Sequence, residues 1–134
     1  MKKILLLFAI VLSVVSCQQE ETPQSSKIIN VQIRASDWLS HVDSTKSSRY
    51  YYYDSKVPEL NSNVYNNGSV SAFVEEGTLV QSLPYTIREG ASKTNWTRST
   101  TFTYTEGKIM FSVIYPTLNS FPPDVLNFRV VLNN

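Results

Sequence analysis

Few residues in this chain could do chemistry, and their scarcity narrows the possibilities. Among 134 residues there is one histidine, His41, and one cysteine, Cys17. A multi-histidine metal site is thereby excluded, and a serine triad would have to use His41, with no G-x-S-x-G elbow to support it. His41 sits in a serine-rich stretch and reads as a solvated surface histidine. The glycines, at 68, 77, 90 and 107, are far apart and fall in expected turns, so there is no glycine-rich phosphate loop. Acidic side chains are more numerous, eleven in all. Two carboxylates held roughly 5 to 9.5 Å apart suffice for glycoside hydrolysis, but Asp37, Asp43, Asp54 and Glu75 have no spacing that singles out a pair. No cofactor or metal is expected.

Binding is the better class. Trp38, Trp96 and the run Tyr50, Tyr51, Tyr52 and Tyr53 are many aromatics for a small domain. Exposed on a sheet, such rings stack on sugar rings or form a protein contact; the alternative is that each packs in the core or covers a sheet edge. In an extended segment successive side chains point to opposite faces, so one pair of the four tyrosines should face away from the core.

The start of the chain decides where these residues act. Lys2 and Lys3 precede an apolar run from Ile4 to Leu12, then Ser13, Val14, Val15, Ser16 and Cys17. A basic start, a short apolar stretch and a small-residue cleavage site are the parts of a secretory signal peptide, too short to span a bilayer of about 30 Å. Val14 to Cys17 resembles the lipobox of bacterial lipoproteins. That resemblance implies diacylglycerol transfer to the Cys17 thiol, cleavage before Cys17 and acylation of its new amino group. The expected divisions are a signal peptide over 1–16, a lipidated cysteine and flexible polar tether over 17–26, and one domain over 27–134. Glu20 and Glu21 resemble the acidic export signal of Gram-negative lipoproteins, which implies the outer membrane, with surface display favoured over the periplasmic face. Asp43, Ser44 and Thr45 resemble an O-glycosylation motif of some Gram-negative anaerobes, in which Ser44 would carry the sugar.

Removing residues 1–16 leaves 118, enough for one core. Losing Lys2 and Lys3 takes the twelve basic residues to ten against eleven acidic ones, a balance with no basic footprint for nucleic acid. Serine, threonine, asparagine, tyrosine and valine dominate, which is strand chemistry.

The elements that must position the aromatics follow from alternation and turns. Lys27 to Ala35 alternates Ile29, Val31, Ile33 and Ala35 with polar residues, the pattern of a half-buried strand. Residues 36–48 read as a loop with one helical turn. Three hairpins are expected with glycine second in a two-residue type I′ centre: Asn67-Gly68, Glu76-Gly77 and Glu106-Gly107. The first would set Tyr65 opposite Val70, and the second Val74 opposite Leu79. In the third, Thr105 pairs with Lys108, so Tyr104, Phe102 and Thr100 face Ile109, Phe111 and Val113 on one side, while Thr103 and Thr101 face Met110 and Ser112 on the other. Pro84 belongs at an edge or strand start, and Val125 to Leu132 is the terminal strand. About seven to eight short strands without a convincing helix predict an all-β fold, a single antiparallel β-sandwich of immunoglobulin-like type. Phe102, Phe111, Val113, Phe128 and Val130 should form its core.

Assembled, the lipobox, acidic tether, Asp37-Trp38 pair, Leu83-Pro84, the Tyr104 to Ile109 hairpin and the closing Phe128 to Val131 resemble small lipoproteins of Gram-negative anaerobes that carry one sandwich domain. The expectation is a membrane-anchored extracytoplasmic lipoprotein with a non-catalytic binding or assembly domain, its partners the membrane and an envelope protein or glycan. A small carboxylate-dependent glycan hydrolase is the alternative.

Overall fold

The computed structural model describes residues 25–89, 96–117 and 121–134, with the backbone alone for Glu89 and Trp96. The signal peptide, Cys17, residues 18–24 of the tether, Gly90 and the Trp96 side chain lie outside the described residues.

Among the described residues nine strands form two antiparallel sheets, an all-β sandwich as expected. They are β1 (Ser26–Ile33), β2 (Leu39–Val42), β3 (Arg49–Lys56), β4 (Ser69–Glu76), β5 (Leu79–Ser82), β6 (Tyr85–Glu89), β7 (Trp96–Thr105), β8 (Lys108–Tyr115) and β9 (Leu126–Asn133). One sheet has the order β1-β9-β4-β5 and the other β2-β3-β8-β7-β6. Alternation explains which faces meet: Ile33, Leu126, Phe128, Val130, Leu132, Ala72 and Val74 point inward from the first sheet, and Tyr51, Ile109, Phe111, Val113 and Thr100 from the second, all buried. At the centre the Phe111 and Phe128 rings stack across the sandwich with centroids 4.2 Å apart.

Each passage between sheets buries an apolar residue at the sandwich end. A 3-10 turn over Ala35–Asp37 leads to Trp38, whose buried ring meets Phe128 edge-on at 6.4 Å. Val57, Leu60 and Val64 fill the passage from β3 to β4. Leu83 does so before Pro84, which stands at the entry to edge strand β6 as expected, and Pro123 before β9.

The β7–β8 register is the expected one, from Thr105 opposite Lys108 to Thr100 opposite Val113. Its turn differs: Gly107 has φ +74° but Glu106 keeps a negative φ, so it is not type I′. The Glu76-Gly77 turn is displaced by one residue. Glu76 pairs with Leu79 and Val74 with Gln81, which puts Gly77, φ +60°, first in the two-residue loop, where a type II′ turn needs glycine.

No hairpin forms at Asn67-Gly68. Residues Ser62–Asn67 make a short helix, α1, because the Asn61 side chain accepts hydrogen bonds from the backbone N–H of Asn63 and Val64. Gly68 ends it with φ −96°; a Cβ there would lie 2.2 Å from the Asn133 carbonyl oxygen, so close approach, not positive φ, requires glycine. Tyr65 consequently faces the Tyr104 ring at 6.1 Å instead of Val70. Phe102, expected in the core, is only partly buried at its rim, stacked on Tyr104. The stretch read as a loop over 36–48 contains β2, too short for its alternation to show.

Candidate functional site

The run of tyrosines lies on β3, and the pleat divides it. Tyr51 is buried, edge-on to Tyr115 at 5.9 Å, and Tyr53 packs against the core. Tyr50 and Tyr52 point outward, their centroids 5.9 Å apart. Antiparallel pairing then sets two rows across the outer face of the five-stranded sheet. One reads His41, Tyr50, Ile114, Ser99, Thr86, and the next Leu39, Tyr52, Ser112, Thr101.

These rows concentrate the apolar surface at one end. Leu39 is 57% and Ile114 41% exposed, and between them lie the half-buried Tyr50 and Tyr52, with exposed His41 5.1 Å from Tyr50. Toward β6 the face becomes hydroxylic, Thr86 and Ser99 sharing a 2.9 Å hydrogen bond. His41 therefore belongs to an aromatic cluster on β2 and not to a loop, and Leu39 and Ile114 join it. The signal for Ile114 was present in the β8 alternation, two residues beyond Ser112; for Leu39 and His41 it was hidden by the brevity of β2.

Trp38 stands apart from this patch. Burial against Phe128 removes its ring from any exposed platform, while Trp96 begins β7 and its side chain lies outside the described residues. Ser44 is exposed in the loop joining β2 to β3. Asp43 organises that loop, its carboxylate accepting from the Ser48 hydroxyl at 2.8 Å, the Ser47 amide at 2.8 Å and hydroxyl at 2.9 Å, and the Thr45 hydroxyl at 3.1 Å. These donors, Ser48 first and the Ser47 amide next, hold the Asp43 carboxyl well below its ordinary range. The unfolded chain then binds the proton first as pH falls, so the loop's contribution to stability is present at neutral pH and is lost in acid. A titration of the Ser47 amide resonance should have its midpoint well below the usual aspartate value, and Asp43→Ala should accelerate exchange of that amide.

Carboxylates elsewhere face cations. Lys108 meets Asp54 at 3.3 Å and Lys27 meets Glu59 at 3.2 Å. Arg129 donates through Nε to Glu75 at 2.7 Å, and Arg98 binds Glu76. The Glu59 carboxyl is held low by its own backbone amide and by Lys27. It lines a cleft of about 210 Å³ with Ser25, Lys27, Asn61 and Asn134. Among the described residues no group of three histidine, cysteine or acidic side chains could hold a metal ion. The chain matches no protein-family model, no curated protein and no solved structure.

Proposed function

We infer that the chain is a lipid-anchored extracytoplasmic protein whose sandwich binds an envelope partner through the outer face of its five-stranded sheet. The observation that carries the reading is the patch of Leu39, His41, Tyr50, Tyr52 and Ile114 on the β2–β3 side of a face that is hydroxylic across Ser112, Thr101, Ser99 and Thr86 and carries Met110 and the Lys108–Asp54 pair further along. Its mixture of aliphatic and tyrosine surface suits a protein contact. A sugar platform needs an open ring face, and Tyr50 is instead flanked by His41 and Tyr52. Cys17, with its lipobox-like approach and polar tether, supplies the anchor, and Glu20 and Glu21 favour display at the cell surface.

Photocrosslinking in cells tests the surface. A crosslinker at Ile114 should capture one discrete envelope protein, one at Ser71 on the opposite sheet should not, and Tyr52→Ala should weaken the contact by about 2 kcal/mol, a hot-spot loss. A glycan-array signal abolished by Tyr52→Ala would replace the protein partner with a sugar. Cys17→Ser should abolish processing and membrane retention; release of the wild-type protein into the soluble fraction would remove the anchor from the proposal.

A further inference from the structure

The four sheet edges are unequal. Strands β2 and β5 have four residues each and β6 has five, whereas β1 has eight and pairs with β9 without interruption from Ser26 opposite Asn133 to Ile33 opposite Leu126. Short edges resist strand addition; a long, regular edge without proline or bulge invites it. The hydrogen-bonding phase of β1 is set by Asn134, whose N–H donates to the Ser25 carbonyl. In an antiparallel ladder the odd residues of β1 therefore bond to β9, and Ser26, Ile28, Asn30 and Gln32 direct their N–H and C=O groups to the outer edge, which pairs with no strand among the described residues. All four are exposed, Ile28 at 60%. At the next position the series stops, because Arg34 N–H donates to Asp37 and its carbonyl accepts from the Asp37 N–H.

We propose that this edge is a homodimer interface, a second copy adding its own β1 antiparallel about a two-fold axis through Ile29. That register sets Ser26 opposite Gln32 and Ile28 opposite Asn30 of the second copy, so each free group on one edge meets a free group on the other. Moving it two residues further would place Ser26 against Arg34, whose backbone groups are already used. The pairing keeps inward residues beside inward residues, so the two four-stranded sheets continue as one with a shared core side. Charge is compatible: Lys27, the one ionisable residue of β1, falls opposite Val31 of the second copy and keeps Glu59. The inference does not depend on the anchor or on the aromatic patch, which lies on the other sheet.

Light scattering on the full chain in detergent, over a concentration series, should show a monomer–dimer equilibrium. Ile28→Lys places an edge-guarding charge beside the axis at an exposed site and should weaken it about tenfold. Ile29 lies on the axis as a non-hydrogen-bonded pair, where Cα atoms stand about 4.5 Å apart, within disulfide reach. Mild oxidation of Ile29→Cys should therefore give a covalent dimer, and Gln32→Cys should give no more than the wild-type chain does. A monomer at every concentration, a dimer indifferent to Ile28→Lys, or equal crosslinking at both positions overturns the proposal. If Ile29→Cys does not fold, the scattering comparison decides alone.

Discussion

Phe111→Ala should destabilise the domain by about 3 to 5 kcal/mol, read as a lowered denaturation midpoint in urea with circular dichroism as the signal. The ring is 0% exposed and stacks on Phe128, which in turn meets Trp38, so truncation leaves a void bordered by aromatic groups that cannot collapse without moving both sheets. Against a total stability of about 5 to 15 kcal/mol for a domain of this kind, much of the protein would be unfolded at moderate temperature. Phe111→Leu should cost less, because most of the volume is kept. Phe102→Ala is the internal control, since that ring is only partly buried and its loss should be clearly smaller. Equal effects at the two positions would contradict the placement of the core.

The second large effect is electrostatic. Arg98 on β7 is buried, with 8% of its side chain exposed, and it binds Glu76 on β4, so the pair joins the two sheets near one end of the sandwich. Glu76→Ala removes the carboxylate facing a guanidinium that has little access to water. The expected loss is about 3 kcal/mol, the low end for breaking a buried pair because Glu76 keeps 28% exposure. Replacing both partners, Arg98→Met with Glu76→Leu, should recover most of it, since an apolar pair of similar size avoids the desolvation cost. Lys108→Ala is the contrast: its bridge to Asp54 has both partners near half exposed and should change stability by less than about 1 kcal/mol. A double variant as unstable as Glu76→Ala would show that the pair does not act through burial of charge.

Local rules worked where one local rule was sufficient. The β7–β8 pairing was legible pair by pair because a single register separated Phe102 and Phe111 from Thr103 and Met110, and a slip of one residue would have reversed every side chain. The outward pair of tyrosines followed from the same pleat. Glycine alone does not specify one turn type. Gly77 takes the first loop position, not the second, and Gly68 is needed because the Asn133 carbonyl passes so close, a long-range contact with no trace in neighbouring residues. The patch was only half visible for a related reason. Tyr50 and Tyr52 could be placed from their own strand, but Leu39, His41 and Ile114 become their neighbours only through pairing between β2, β3 and β8, and β3 and β8 are far apart in the chain.

The position of β9 bears on how the molecule is made. Of the strands described it leaves the ribosome last, yet it lies between β1, the first of them, and β4, and it brings Leu126, Phe128, Val130 and Leu132 into the interior. Until those residues emerge, β1 has no neighbour among the described strands and Phe111 lacks the ring it stacks on. A nascent chain therefore cannot complete this structure early, whatever hairpins form along the way. The two parts of the four-stranded sheet, β1 on one side and β4 with β5 on the other, wait for Leu126 to Leu132 to join them.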